Sequence, residues 1–167
     1  MSEVTFQGST IKLSGSFPQV GTQAPEFTLC GSDLGDISLS SLKGKNVVLN
    51  IFPSIDTPVC ALGVKAFNQK AASIDNTVVL CISADLPFAT GRFCAAEGIE
   101  NVQMASFFRS PEFTQAYGVK LAEGALRDLA TRAVIVLNEE GTVIHAELVA
   151  EITDEPNYDA AIAVLEK

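Results

Sequence analysis

With 167 residues, of which 47% are hydrophobic and 19% are charged, the chain is long enough to bury one full core and is not a disordered polypeptide. Its net charge of −9 argues against a nucleic-acid partner, because phosphate groups repel an acidic surface. No apolar run approaches the roughly 20 residues of a membrane span, and the first residues lack the basic and then apolar pattern of a signal peptide, so we expect a cytoplasmic protein without a membrane partner.

The beginning of the chain predicts short antiparallel strands. Residues 4–13 alternate in polarity around a Gly-Ser break, which is typical of a β-hairpin, and we place this hairpin in an N-terminal extension over residues 1–20. The prolines and the glycine of residues 17–25 indicate a loop. Two short strands and a helical turn are expected next, at 27–30, 36–39 and 40–44.

From residue 46 onward, predicted strands and helices alternate. The expected strands lie at 46–51, 77–83, 102–105, 132–137 and 142–149, the last two joined in a hairpin by residues 138–141. The expected helices begin near Cys60 and lie at 88–98, 110–118 and 157–165. Ser110 is expected to cap the third of these, with Pro111 at its first position. This order predicts one α/β domain over residues 1–167, with a central mixed sheet flanked by helices.

Cys60 lies where a predicted strand, a loop and a helix meet. The apolar strand 46–51 ends before Pro53, and the residues after Cys60 have a helical pattern. Unpaired N–H groups and the positive end of the helix dipole collect at the start of a helix, and both favour a thiolate over a thiol. Thiolate is the nucleophilic form of cysteine, so Cys60 is a candidate for chemistry, with an inert buried cysteine as the alternative.

The segment Pro53-Ser54-Ile55-Asp56-Thr57-Pro58-Val59-Cys60 carries the Pro-x-x-x-Thr-x-x-Cys signature of the peroxiredoxins. Residues 50–57, 80–89 and 92–94 resemble the thiol peroxidase branch of that family, and the resemblance extends over nearly the whole chain. It implies a thioredoxin-like fold with an added N-terminal β-hairpin. It also implies a thiol-dependent peroxidase that reduces hydrogen peroxide and organic hydroperoxides in antioxidant defence.

The resemblance further implies the roles of five residues. Cys60 is expected to be the peroxidatic cysteine and Cys94 the resolving cysteine, joined in an intrachain disulfide during turnover. Thr57 and Pro53 are expected to form the pocket wall, and Arg132 to lie beside the reactive sulfur. Re-reduction by thioredoxin and a homodimer are implied as well, although the sequence itself only permits the dimer.

Peroxide reduction needs a thiolate that attacks one oxygen of the O–O bond. A guanidinium stays charged and offers donors in a fixed fork, so Arg132 suits both the thiolate and the polarised bond. The sulfenic acid formed on Cys60 condenses with a second thiol before it oxidises further. Cys94 lies 94 − 60 = 34 positions later on another predicted helix, and a disulfide needs Cα atoms within about 7 Å. Two helix starts need not be that close, so we expect local unwinding around one or both cysteines.

The remaining candidates have simpler interpretations. Cys81 lies inside an apolar strand and Cys30 ends a short one, so both are expected to be structural. The single histidine, His145, is expected on the surface of a strand. The chain has no Cys-x-x-Cys and no Gly-x-Gly-x-x-Gly pattern, so we expect neither a metal site nor a nucleotide cofactor. Arg92 is a weaker candidate for the pocket rim. Several phenylalanines are mostly expected in the core, with some lining an apolar substrate mouth: Phe27, Phe93, Phe107, Phe108 and Phe113.

Two other functions stay open on the sequence. A peroxide sensor would pass its oxidation to a partner protein and turn over little, and a thioredoxin-fold binding module would carry incidental thiols. Rapid turnover with a thioredoxin system separates a peroxidase from both. A stable mixed disulfide with a specific protein favours the sensor, and an unreactive Cys60 favours the binding module.

Overall fold

The apolar runs 46–51 and 77–83 form adjacent parallel strands at the centre of the fold, as their sequence predicts. The computed structural model describes residues 2–71 and 73–166. Its strands are β1 (Glu3–Phe6), β2 (Ser9–Ser14), β3 (Thr28–Gly31), β4 (Asp36–Ser38), β5 (Asn46–Ile51), β6 (Thr77–Ser83), β7 (Gln103–Ser106), β8 (Lys120–Leu121), β9 (Ala133–Leu137) and β10 (Val143–Leu148). Its helices are α1 (Pro58–Ala71), α2 (Pro87–Glu97), α3 (Glu112–Ala116) and α4 (Tyr158–Ala163).

Seven of the strands form one mixed sheet in the order β10-β9-β5-β6-β7-β3-β4. β5, β6 and β7 are parallel neighbours, and β9 runs antiparallel to β5. β5 and β6 are almost entirely buried, because helices and loops cover both faces of the sheet. The predicted α/β class with a central mixed sheet flanked by helices is therefore confirmed.

Alternate residues of β5 face two different hydrophobic clusters. Val47 belongs to a cluster that is completed by Phe113 of α3. Val48 belongs to a second cluster, to which α1, α2 and α4 contribute. Cys60 of α1 and Cys94 of α2 both pack in this second cluster, so the two cysteines lie on the same side of the sheet.

The predicted N-terminal hairpin is also present. β1 and β2 pair antiparallel around a turn in which Gln7 and Gly8 both have positive φ, at 51° and 87°. Two successive residues of positive φ match the twist of paired strands, which favours this turn in tight hairpins. β2 also pairs with β8, a two-residue strand that the sequence does not predict, and the three strands form a separate small sheet.

Glu151 attaches the hairpin to the loop that follows β10. Its carboxylate accepts the N–H of Gly8 at 3.0 Å and the hydroxyl of Thr5 at 2.8 Å. Hydrogen bonds from the backbone N–H groups of Thr153 and Gly8 lower the pKa of Glu151 to about 2, so the carboxylate is ionised at neutral pH. The hairpin is thereby held beside Ile152, the residue whose carbonyl group contacts Arg132.

Some helix ends differ from the expectation. Ser110 does not cap α3, because its hydroxyl donates to the carbonyl of Thr28 at 2.8 Å and Pro111 takes the N-cap position. α1 begins at Pro58, which makes Cys60 its third residue. The end of α2 is as expected, since Gly98 closes the helix in the left-handed conformation with φ 66°.

The outer strands of the central sheet are β10 and β4. A register shift between Val143 and His145 marks a β-bulge in β10, and β4 is only three residues long. Gly21 and Ala24 donate backbone hydrogen bonds to the carbonyls of Val143 and Gly141, so a loop covers the start of β10.

Candidate active site

The loop from Pro53 to Thr57 joins β5 to α1 and presents Cys60 in the first turn of the helix. The carbonyl of Ser54 accepts both the N–H and the hydroxyl of Thr57, at 3.3 and 2.9 Å. The carbonyl of Thr57 then accepts the N–H of Ala61 and starts the helix. Because the Thr57 hydroxyl donates to the backbone, its lone pairs are available to accept a hydrogen bond from a bound substrate.

Cys60 is buried, with 1% of its surface exposed. It lies within the first turn of α1, where the backbone N–H groups have no partner inside the helix. Pro58 and Val59, the residues directly before it, line a cavity of about 370 Å³. The sulfur therefore lies behind the wall of this cavity rather than on open surface.

Arg132 precedes β9 and is 4% exposed. Its Nε donates to the carbonyl of Ile152 at 2.8 Å, which fixes the guanidinium and leaves its terminal N–H groups available. None of the four ion pairs within residues 2–71 and 73–166 includes Arg132. A buried charge without a carboxylate partner is costly, so this guanidinium favours an anion in its vicinity.

The same cavity brings together three of the five residues that the sequence singles out. Pro53, Thr57 and Arg132 line one part of it. Its remaining lining is mainly apolar and comes from the hairpin, from the loop before β9 and from the loop after β10: Phe6, Leu126, Leu129 and Ile152. The guanidinium of Arg132 and the hydroxyl of Thr57 thus share a cavity whose lining is mainly apolar.

Tyr158 of α4 also lies beside this site, and nothing in the sequence points to it. Its hydroxyl donates to a carboxylate oxygen of Glu155 at 3.1 Å. A Cβ atom added to Gly63 would come within 3.3 Å of that hydroxyl, so the glycine makes room for the phenol against α1. Burial raises the pKa of Tyr158, the hydrogen bond and the charge of Glu155 raise it further, and the charge of Arg132 lowers it. Tyr158 packs in the same hydrophobic cluster as Cys60.

Cys94 is the eighth residue of α2 and lies in the interior of the helix, where the predicted helix 88–98 also places it. It is half-buried, and burial raises the pKa of its thiol. Cys60 and Cys94 are both free thiols here. Cys81 and Cys30 are buried as expected. Burial raises the pKa of the Cys81 thiol to about 12.

The expectations for His145 and Arg92 are corrected, and three phenylalanines lie in the core as expected. His145 is half-buried rather than on the surface, and its Nε2 has no hydrogen-bond partner in the part of the chain that is described. Arg92 lines a different cavity from Arg132, one formed between the Ser54–Asp56 segment and α2. Phe27, Phe107 and Phe113 pack in the core cluster on the opposite face. Phe6 is the aromatic residue that lines the same cavity as Arg132. The only indication of this in the sequence is the alternating pattern of the hairpin.

Across residues 2–71 and 73–166, no group of three or more histidine, cysteine, aspartate or glutamate side chains is arranged to hold a metal ion. None of the helices in these ranges has the length and apolar character that crossing a bilayer requires.

Comparison with known proteins gives concordant results. Residues 19–162 match the Redoxin family. A thiol peroxidase of Vibrio cholerae serotype O1 is 56% identical over 162 residues, which are 97% of this chain and 99% of that protein. A peroxiredoxin-like protein from Aquifex aeolicus is 38% identical, with a TM-score of 0.94 over 99% of this chain and 96% of that one.

A thiol peroxidase from Chromobacterium violaceum is 23% identical and superimposes with a TM-score of 0.90, over 98% of this chain and 95% of that one. At this identity the likeness supports the fold alone, and it agrees with the predicted thioredoxin-like architecture. The Redoxin match and the identity to the Vibrio cholerae protein together show that the chain belongs to the thiol peroxidase branch of the peroxiredoxins.

Proposed function

We propose that this protein is a thiol-dependent peroxidase that reduces hydrogen peroxide and organic hydroperoxides, with Cys60 as the attacking residue. One observation carries the assignment of the site. Arg132 is a buried cation outside every ion pair of the described residues, and it lines the same cavity as Pro53, Thr57 and the two residues directly before Cys60. That arrangement supplies the positive charge that both a thiolate and a breaking O–O bond need.

In the first step, the Cys60 thiolate attacks one oxygen of the hydroperoxide and the O–O bond breaks. The sulfur gains that oxygen as a sulfenic acid, and the other oxygen leaves with a proton as water or alcohol. The terminal N–H groups of Arg132 stabilise the charge on both oxygens, and the Thr57 hydroxyl accepts from the peroxide and orients it. Pro53 has no N–H group, so it shields the sulfur without competing for the peroxide.

The apolar part of the cavity supports organic hydroperoxides among the substrates. Phe6, Leu126 and Leu129 line the same cavity as Arg132, and its volume of about 370 Å³ has room for an alkyl or aryl group. Burial of that group against the wall would add binding free energy that hydrogen peroxide cannot obtain.

In the second step, the Cys94 thiolate attacks the sulfur of the Cys60 sulfenic acid, the hydroxyl group leaves and takes up a proton from solvent as water, and an intrachain disulfide forms. The helix rise of about 1.5 Å per residue places Cys60 about 3 Å and Cys94 about 10 Å along the axes of α1 and α2. Both helices begin at the same end of the parallel strands and run side by side, joined by an ion pair between Lys65 and Glu97. The axial offset supports the proposal that α1, α2 or both unwind locally before the bond closes.

The resemblance supports further parts of the proposal. Thioredoxin is the proposed reductant of the disulfide, and the protein is proposed to be a homodimer of single-domain chains that acts in the cytoplasm in antioxidant defence. A sensor would instead transfer its oxidation to one partner protein, and none of the contacts described above favours that alternative.

The test is mass spectrometry of the reduced protein after one equivalent of cumene hydroperoxide. We expect a disulfide between Cys60 and Cys94 within each chain, with Cys30 and Cys81 still free, and re-reduction of the bond by a thioredoxin system. A stable sulfenic acid on Cys60 without the bond would contradict the two-cysteine cycle. An unoxidised Cys60 would contradict the peroxidase itself.

A further inference from the structure

The carboxylate of Asp85 connects the loop that carries Cys60 to the turn that leads into α2. Asp85 lies between β6 and α2, two residues before the first residue of that helix. Oδ1 accepts the hydroxyl of Ser54 at 2.8 Å, and Oδ2 accepts the N–H of Ile55 at 2.7 Å. Oδ2 also accepts the hydroxyl of Ser83 at 2.7 Å. We infer that Asp85 is a positioning residue for the Cys60 loop, an inference that rests on the proposed peroxidase function.

The contacts continue from Asp85 to the residue proposed to orient the peroxide. Ser54 gives its hydroxyl to Asp85 and, through its carbonyl, holds both the N–H and the hydroxyl of Thr57. The N–H of Asp56 donates to the Ser54 hydroxyl oxygen at 3.2 Å. The hydroxyl and the carbonyl of Ser54 are therefore both engaged in hydrogen bonds. A displacement of Ser54 would displace Thr57 and the first turn of α1 with it.

The position of Asp85 explains how a single side chain can hold the Cys60 loop. β5 and β6 are neighbouring parallel strands, so the loop after β5 and the turn after β6 emerge at the same end of the sheet. Ser83 is 1% exposed at the end of β6, and its hydroxyl holds the Asp85 carboxylate through a hydrogen bond. A reacting geometry displaced by about 1 Å can lower a rate by about 100-fold, so a fixed loop matters for the reaction.

A purely electrostatic role of Asp85 predicts the opposite effect of its removal. A negative charge near Cys60 opposes the thiolate, so loss of that charge alone would leave the reaction with peroxide unchanged or faster. Positioning predicts a slower reaction in Asp85→Ala. It also predicts recovery in Asp85→Asn, whose Oδ1 can accept from Ile55 and Ser83 while its Nδ2 donates to the oxygen of Ser54.

The experiment measures two quantities in a Cys94→Ser background, where the reaction stops at the sulfenic acid. The first is the second-order rate constant for Cys60 oxidation by hydrogen peroxide, from rapid quenching and mass spectrometry. The second is the amide hydrogen exchange of Ile55 and Thr57 in the reduced protein. We expect Asp85→Ala to lower the rate constant about 10- to 100-fold and to speed the exchange, with Asp85→Asn within about 3-fold of the parent.

Asp56→Ala is the matched control. Asp56 lies in the same loop, is exposed, and its carboxylate accepts no hydrogen bond from residues 2–71 or 73–166. The Asp56→Ala variant, like Asp85→Ala, removes one negative charge near the site. We expect its rate constant for Cys60 oxidation to stay within about 3-fold of the parent. Ser54→Ala removes one of the three hydrogen bonds to the Asp85 carboxylate, together with the bond from the N–H of Asp56. It replaces Asp85→Ala if that variant does not fold, with an expected loss of several-fold.

An Asp85→Ala protein that exchanges faster but reacts at the parental rate overturns the inference. So does an equal loss in Asp85→Ala and Asp85→Asn, because positioning by hydrogen bonds requires recovery in the variant that keeps those bonds. If the parent itself does not react with peroxide, the proposed function fails. The exchange of Ile55 then still decides whether Asp85 holds the loop.

Discussion

At the residue scale, the guanidinium of Arg132 combines two tasks that another cation cannot combine. Its Nε is bound to the carbonyl of Ile152, and its terminal N–H groups remain for the sulfur and the peroxide. A lysine at this position would keep the charge but lose either the anchor or the fork. The shape of the group therefore matters as much as its charge.

We expect Arg132→Lys to lower kcat/KM for cumene hydroperoxide about 100-fold, because one fixed donor to the developing charge is lost. Steady-state assays with a thioredoxin system measure the effect. Arg127→Lys is the matched control. Arg127 lies in an exposed loop, and within residues 2–71 and 73–166 its side chain hydrogen-bonds only to the carbonyl of Gly124, so its replacement should leave kcat/KM within about 2-fold. Equal activity of both variants would remove Arg132 from the proposed mechanism.

The raised pKa of Cys94 predicts how disulfide formation depends on pH. Burial raises this pKa above its ordinary value of 9.0, so the thiol is neutral at pH 7 and the attacking thiolate is a minor species. Its fraction, and with it the rate of disulfide formation, should rise about tenfold per pH unit between pH 6 and 8. Rapid quenching after sulfenic acid formation measures this rate, and a rate that is flat over this range would contradict the prediction.

The midpoint of that profile carries further information. If α2 unwinds before Cys94 ionises, the thiol loses its burial and the midpoint falls near 9.0. If Cys94 ionises inside the folded helix, the midpoint lies higher.

The sequence predicts the motif residues well and their surroundings poorly. Pro53, Thr57 and Cys60 belong to one contiguous signature, so their proximity follows from their spacing. Asp85 and Tyr158 come from distant parts of the chain and reach the site through strand order and helix packing. No local pattern encodes such contacts, because they depend on which elements become neighbours.

At the element scale, α2 contains a point of weakness near Cys94. Gly91 lies in the interior of this 11-residue helix, and a Cβ atom added there would meet no heavy atom within 4 Å. Glycine in a helix interior costs about 1 kcal/mol relative to alanine. The helix that is proposed to unwind is therefore weakened where the chain has space for a larger residue.

We expect Gly91→Ala to stabilise α2 by about 1 kcal/mol and to slow disulfide formation about 5-fold, with the initial oxidation of Cys60 unchanged. Gly98→Ala provides the contrast, because Gly98 has φ 66° and alanine there costs about 1 kcal/mol. That variant should form the disulfide faster. Single-turnover mass spectrometry measures both, and equal rates in the two variants would show that α2 does not unwind.

Helices and strands are predicted correctly where a long apolar pattern encodes them. They are missed where contacts between distant parts of the chain determine the local structure. The central strands 46–51 and 77–83 have the predicted bounds, because uninterrupted apolar residues encode burial on both faces. β8 has two residues and exists because it pairs with β2. Serine is a favoured N-cap residue, but the hydroxyl of Ser110 donates instead to the backbone carbonyl of Thr28 in β3.

At the scale of the whole molecule, Cys81 links stability to alkaline pH. Its thiol remains protonated in the folded state up to a pKa of about 12, whereas the unfolded value is 9.0. Below pH 9 the thiol is neutral in both states and stability is unaffected. Between pH 9 and 12 the unfolded state releases the proton and gains free energy, so the folded state loses stability as pH rises.

At pH 10.5 this effect amounts to about 2 kcal/mol in the free energy of unfolding. Cys81→Ala removes it, so the stability difference between the parent and this variant should shrink by about that amount from pH 8 to pH 10.5. Urea unfolding of the reduced proteins measures the difference. Val79→Ala, in the same cluster but without a titratable group, should show a constant difference. A constant difference for Cys81→Ala as well would contradict the prediction.

The two ends of the central sheet have a consequence for aggregation. Exposed strand edges are templates on which another chain can add a strand, and this danger increases when a protein opens locally. Here the bulge between Val143 and His145 and the loop at Gly21 blunt one edge, and the three residues of β4 shorten the other. Helices on the face of the sheet can therefore loosen with a smaller risk that a neighbouring chain adds a strand to either edge.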